Sequence, residues 1–322
     1  MEWQAAWEDP FRAFLQAFED LIRDRRSKLT LAETIRGIIA AGSLVCQRIA
    51  ACSPVLSRAR KMGQRVIRFA KGESTKRSRL DDVHLTAKLR EQGVAHLSEA
   101  ESSELWIVLD GSGLRKPYAQ SMPALSQVRD AEGKLVPGYS TLTAVGMTPG
   151  RRAVLYQRVC SSQEEGFQSE SAEVQRALQT VHQAVAGLAS RMAITWILDR
   201  GFDDVAVWRT IWEQGEHLVC RIDELGRQVE FLDRQRRWQS GKIAQARAHM
   251  RLRARAQAEM EVRLGRQKRP KRQPVVVEIG AVPLRLRYDA TFAAREPQSG
   301  RKRSSGWWKC AWWRGKLSRG CS

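Results

Sequence analysis

Two apolar runs in this chain each end on an aspartate: LWIVL at 105–109 leads into Asp110, and AITWIL at 193–198 leads into Asp199. Runs of five or six such residues, bounded by turn formers, have the length and composition of buried strands. The first is expected to end at Asp110, with GSG as a turn. Between the two lie β-rich stretches at 139–147 and 153–160, joined at TPGRR and predicting a hairpin. Next comes SESAEVQRALQTVHQAVAGLA, where Val174, Leu178, Val181, Val185 and Leu188 recur at three- and four-residue spacing and predict a helix packed on a sheet. After Asp199, the pair Asp203 and Asp204 is expected to cap a helix through VAVWRTIWEQ that stops at Gly215, and HLVCRI reads as a fifth strand. The order is βββαβαβ. Right-handed crossovers set the first and fourth strands side by side with their carboxyl ends at one edge, so Asp110 and Asp199 are expected to meet there.

Two carboxylates at neighbouring strand ends repel each other unless a cation sits between them. Oxygen ligands of this kind suit Mg²⁺ or Mn²⁺, which keep several waters and take phosphate oxygens beside one or two protein carboxylates. Such ions activate a water or hydroxyl and stabilise the leaving oxygen in displacement at phosphorus. Each residue alone has a plainer reading, Asp110 as a turn former before GSG and Asp199 as a solvated strand end paired with Arg200. Their joint placement in one topology favours the metal reading.

The rest of the composition bounds the partner. A chain of 322 residues with 55 Lys and Arg against 35 acids carries a formal charge of +20, which points to an acidic polymer, nucleic acid before membrane. The least polar stretch, GIIAAGSLVCQ at 37–47, lies between Arg36 and Arg48 and is far shorter than the roughly 20 apolar residues that span a bilayer. MEWQAAWEDPFRAF at the N-terminus is acidic and aromatic, unlike an export signal; a soluble, cytoplasmic protein with no membrane partner is expected. Six cysteines form no CxxC pair and none lies beside a histidine at metal-ligand spacing, so Cys46, Cys160 and Cys220 read as inert thiols.

Four regions follow. Residues 1–95 read as a separate helical region with a DNA-binding role, with Phe11, Phe14, Leu15, Phe18, Leu21 and Ile22 at helical spacing. Within it, RARKMGQRVIRFAKG offers Arg65, Arg68 and Lys71 to phosphates, although a solvated Arg-rich helix face has the same composition. Residues 96–226 hold the α/β core. Residues 227–297 form a basic insertion whose HMRLRARAQAEMEVRLG reads as a solvated helix carrying Glu259 and Glu261, and whose PVVVEIGAVPLRLRY regains β character. Residues 298–322, rich in Trp, Arg and Gly, show neither period and are expected to be disordered.

LWIVLDGSG, the hairpin after it and WILDRGFDD resemble the first two acidic motifs of DDE transposases of the insertion-sequence 4 group, a bacterial family with an RNase H-like catalytic domain. The second motif of that family reads Asp-Arg-Gly and an aromatic, here Asp199, Arg200, Gly201 and Phe202. The resemblance spans roughly residues 60–290. It implies that Asp110 and Asp199 are catalytic ligands of Mg²⁺ or Mn²⁺, and that Arg200, Gly201 and Phe202 shape the turn beside the DNA strand; the guanidinium of Arg200 suits a phosphate or a paired acid, the phosphate being favoured. It further implies double-stranded DNA at the element's ends as partner, a homo-oligomer, and a place in the bacterial nucleoid.

That family also has a third carboxylate, a Glu on a late helix with Tyr and Arg before it and Lys after it. Here Tyr288 is followed by DATFAAREP, which leaves Glu296 off the matching position, and the region of Glu259 and Glu261 has no Tyr. The expected reading is a transposase whose C-terminus was replaced through a frameshift and whose cleavage activity is lost for want of the third ligand. A non-catalytic DNA-binding remnant that inhibits transposition and a basic RNA-binding protein are the alternatives.

Overall fold

The computed structural model describes residues 2–22, 24–52, 59–70, 82–130, 132–262, 271–286 and 308–317. The chain forms two compact units, Met1–Arg221 and Ile222–Ser322.

The first unit opens with five helices: α1 (Glu2–Gln16), α2 (Arg25–Ala41), α3 (Cys46–Ala51), α4 (Ala59–Ala70) and α5 (Asp82–Ser98). Asp24 starts α2 by accepting the Ser27 amide at 2.9 Å, which satisfies one of the amides a helix start leaves open. Gly42, at φ 54°, ends it in the left-handed region. α2, α3 and α4 share a small core of Ile49, Ala50 and Val66, backed by Ile38 and Cys46. Gly37 is required there, because a Cβ would lie 2.6 Å from both the Ile49 carbonyl oxygen and its Cγ2.

The sheet of this unit is mixed. Its strands are β1 (Glu104–Arg115), β2 (Ser126–Arg129), β3 (Leu135–Thr148), β4 (Arg151–Cys160), β5 (Ala193–Leu198) and β6 (His217–Cys220), with α6 (Glu170–Val185) before β5 and α7 (Val205–Glu213) after it. They lie in the order β2-β3-β1-β5-β6, with β4 also paired to β3. β1 runs antiparallel to β3 and parallel to β5, and β5 parallel to β6. The expected order of elements is present, with the short β2 added.

One expectation is corrected. Asp110-Gly-Ser-Gly is no turn: β1 continues through it to Arg115, paired residue by residue with β3 as far as Gly138. Glycines on both strands serve close packing: a Cβ on Gly113 would lie 3.1 Å from that of Val128 of β2, and one on Gly138 of β3 2.6 Å from the Leu114 carbonyl oxygen and from Val128.

Leu105, Ile107 and Leu109 of β1 are buried, as are their register partners Ile194, Trp196 and Leu198 of β5, so these six line one face. The predicted helix positions Val174, Leu178, Val181, Val185 and Leu188 are buried as well. The intervening positions form the other face, where Trp106 is 38% and Val219 57% exposed. On the covered side, Glu216 is buried and satisfied by two neighbours: Trp196 Nε1 donates to it at 2.6 Å and His182 Nδ1 lies 2.8 Å away. Cys160 is buried, and that burial, with Glu173 nearby, pushes its thiol above the ordinary range, which keeps it protonated and unreactive.

The second unit contains β7 (Gln228–Leu232), β8 (Trp238–Lys242), α8 (Ile243–Ala246), β9 (Arg251–Val262), β10 (Lys271–Leu286) and β11 (Trp308–Leu317). The order is β11-β10-β7-β8, with β9 also on β10, around a core of Val229, Phe231, Ile243, Ala246, Val282 and Leu284. Two further expectations change. The stretch read as a helix bearing Glu259 and Glu261 is β9, paired antiparallel with β10; its sequence RLRARAQAEMEV alternates polar and apolar residues, the period of a strand. Within the tail expected to be disordered, Trp308–Leu317 pairs with β10 from Val275 to Leu284. A 16-residue strand has two long hydrogen-bonding edges, and pairing there supplies the order that the tail's own pattern lacks. Tyr288 and Glu296 lie outside the described residues.

Candidate functional site

Three strands of the first sheet run parallel, and β5 and β6 end where the pairing of β1 with β5 ends, while β1 itself runs on beside β3. The last register pair of β1 and β5 is Leu109 with Leu198, so Asp110 and Asp199 follow directly on strands about 4.8 Å apart. Both are exposed, and both fall in the alternation opposite Leu109 and Leu198. On the other side of β5, Leu198 pairs with Cys220, which brings Arg221 to the same edge; its amide donates to the Leu198 carbonyl at 3.2 Å. Arg221 is exposed. Sequence reasoning ended the fifth strand beyond it without assigning it a role; its signal was a cation directly after an apolar run that parallels the one before Asp199.

The two carboxylates are held differently. Asp110 stands within a continuous ladder, its Cα opposite Thr143 of β3, and it accepts the Ser112 hydroxyl at 3.1 Å. Asp199 leaves its strand in extended conformation and caps a single 3₁₀ turn, Arg200–Phe202, by accepting the Gly201 amide on Oδ1 at 2.8 Å. A Cβ on Gly201 would lie 3.0 Å from that same oxygen, so the glycine keeps the carboxylate's approach open. Oδ2 of Asp199 has no hydrogen-bond partner among the described residues.

Phe202 locks this turn to the sheet. It is buried, and its ring sits 3.6 Å from the position a Cβ would take on Gly111, the residue after Asp110. Trp208 Nε1 donates to the Phe202 carbonyl at 3.2 Å, and the Cys220 thiol lies 3.5 Å from the Asp199 carbonyl. The aromatic side chain thus ties the strand end bearing Asp199 to the strand bearing Asp110. Of the acidic pair expected to cap the next helix, Asp204 does so alone, accepting the Ala206 amide at 2.8 Å; Asp203 closes the 3₁₀ turn instead.

Two exposed carboxylates on one face are hard oxygen donors with free coordination sites, a set that fits Mg²⁺ or Mn²⁺ completed by water and phosphate oxygens. Among the described residues no group of three or more His, Cys, Asp or Glu side chains is gathered to hold a metal ion. Glu259 is exposed on β9 of the second unit. Arg200 is exposed beside Asp199. In the helical part, Arg68 is exposed and Arg65 donates to the Thr30 hydroxyl of α2 at 3.2 Å; Lys71 lies outside the described residues. No helix among the described residues is long and apolar enough to cross a membrane.

No protein-family model matches the chain, and no curated protein matches it. Solved structures similar to it include the Mos1 transposase paired-end complex with left transposon end, at 16% identity over 58% of this chain and 57% of that one, TM-score 0.23. The Mos1 mariner paired end complex with Mn is similar at 14% identity over 56% and 55%, again with TM-score 0.23. A pre-cleavage Mos1 transpososome aligns at 13% identity over 57% of each chain with the same score. The chain spans a little over half the length of these solved chains, and a TM-score of 0.23 does not establish a shared fold.

Proposed function

We propose that this chain is a transposase of an insertion sequence, with an RNase H-like core in its first unit, that binds the double-stranded DNA ends of its element. The observation that supports this reading is the register that sets Asp110 and Asp199 side by side on one face, just past the last paired residues of parallel β1 and β5. A protein that merely bound polyanions gains nothing from two carboxylates at that edge, which repel phosphate; this counts against a purely RNA-binding role.

In this reading Asp110 and Asp199 hold Mg²⁺ or Mn²⁺. The ion supplies neutralisation of phosphate charge and a more acidic water or hydroxyl. Asp110 is fixed through its ladder, Asp199 through the Gly201 amide and the Phe202 anchor. Arg200, next to Asp199 in the chain, and Arg221, just past the end of β6, are exposed cations at this edge and are assigned to phosphates of the bound strand. Residues 200–322 contain no Glu in the Tyr, Arg, Glu, Lys pattern, so residues 1–322 supply two of the three ligands that reading calls for and are expected not to cleave by themselves. That absence favours a second reading, a non-catalytic DNA-binding remnant that occupies transposon ends.

The test measures two quantities on the full chain. Mn²⁺ affinity, followed by electron paramagnetic resonance, is expected to fall about tenfold or more in Asp110→Asn and in Asp199→Asn; unchanged affinity in both variants removes the site. Nicking of supercoiled plasmid with Mg²⁺ is expected to stay at background. Robust nicking abolished by Asp199→Ala instead overturns the expected loss of activity while leaving the transposase reading in place.

A further inference from the structure

We propose that α4 is a recognition helix that enters the major groove of double-stranded DNA, with Gln64 and Arg68 reading base edges. The proposal rests on the DNA-binding reading above and goes beyond it by naming the reading element and its two side chains.

The argument begins with charge. Between Glu33 and Glu73 the sequence contains eight Arg or Lys and no Asp or Glu. An exposed helix whose only task is to stay solvated alternates both signs at i,i+4; this one has a single sign throughout. Packing then decides which side faces outward. Gly63 and Val66 of α4 are buried, with Val66 in the small core beside Ile49 and Ala50. A Cβ on Gly63 would lie 3.5 Å from that of Ala50, so α4 sits close on α3. Gln64, Arg65 and Arg68 are exposed in consequence.

Those three are not equivalent. Arg65 is tied to α2 through the Thr30 hydroxyl at 3.2 Å, which fixes its guanidinium at the flank of the helix, where a phosphate contact suits it. Gln64 and Arg68 are four residues apart and so lie together on the face opposite Val66. Gln pairs bidentately with adenine N6 and N7, and Arg with guanine O6 and N7. A Gln can also contact a phosphate, but one four residues from an Arg on the same outward face gives that face an adenine reader beside a guanine reader. The helix is 12 residues long, about 18 Å, enough to lie in a major groove about 12 Å wide. Duplex RNA has a major groove too narrow for a helix, so DNA is the expected polymer.

The experiment uses the full chain and a duplex DNA library with a randomised 20-base-pair centre, selected by binding and sequenced. Wild type is expected to enrich a motif. Gln64→Ala and Arg68→Ala are each expected to erase the preference at a single base pair, with discrimination there falling roughly 5- to 150-fold. Gln64→Ala removes no charge, so its affinity for unselected duplex stays within about twofold. Both positions are exposed, and circular dichroism of each variant checks the fold. Asp110→Asn and Asp199→Asn are expected to leave the motif unchanged, which separates this proposal from the metal site. A motif that survives intact in both α4 variants overturns the proposal while DNA binding stands. Salt-sensitive binding without any motif makes α4 a solvated basic face and overturns it too. Equal competition by duplex RNA of the same sequence overturns the groove assignment, and no binding to DNA at any salt concentration removes the DNA-binding reading with it.

Discussion

Phe202 shows how an aromatic beside a proposed active site acts without touching substrate. Its ring is buried against Gly111, and truncation leaves a cavity between β1 and the turn that follows β5. Phe202→Ala is expected to lower stability by about 3–5 kcal/mol, read as a shift in the urea midpoint, and to weaken Mn²⁺ binding although both aspartates remain. Trp196 and Glu216 pose a different problem, a buried carboxylate satisfied by an indole and an imidazole. Trp196→Phe removes one of those donors and is expected to cost about 1–3 kcal/mol, again by urea unfolding. In the second unit, Asp233 is held below the ordinary carboxylate range, first through the Arg237 amide at 2.8 Å and then through Gln239 at 3.2 Å. A carboxylate lowered on folding adds stability that is complete above its ordinary pKa of 3.8 and fades as pH falls through the lowered value. Asp233→Asn is therefore expected to flatten the loss of stability below about pH 4, in urea titrations at pH 5 and pH 3.

At the scale of elements, the strands and helices that carry their own period were legible. α6 buries four of the five positions its spacing named, the fifth, Leu188, is buried just after the helix ends, and β5 ends where its apolar run does. Two of the three misread elements have a pattern written by a partner. Gly-Ser-Gly has turn composition, yet it continues β1 because β3 runs on beside it and Val128 of β2 lies over Gly138. Gly138→Val is thus expected to push β2 off the sheet, cost about 1–3 kcal/mol and speed amide exchange at Gln127 and Arg129. β9 had a strand's alternation in plain view, but its Arg and Ala content pulled the reading toward helix. β11 is ordered through the edge of β10, a long-range partner that no local window contains.

At the scale of the whole molecule, a formal charge of +20 on 322 residues makes binding to nucleic acid strongly dependent on salt. Each cation that neutralises a phosphate contributes about −0.9 to the slope of log affinity against log salt. Arg221→Ala is expected to flatten that slope by about one and leave stability unchanged, measured by fluorescence anisotropy of a labelled duplex between 50 and 300 mM NaCl, as roughly usable limits for that slope. The two units divide the cations between them, and the candidate carboxylate edge belongs wholly to the first.

The sequence by itself determined most of the periodic elements, the two aspartates that follow apolar runs and the sign of the surface, because these depend on residues a few places apart. Only the tertiary structure decided that Asp110 stands in a strand and not in a turn, that Arg221 shares its edge, and that one face of α4 is left outward. Those facts depend on which strand or helix lies alongside, and hydrogen-bond ladders and core packing join residues too distant in the chain for any local pattern to record.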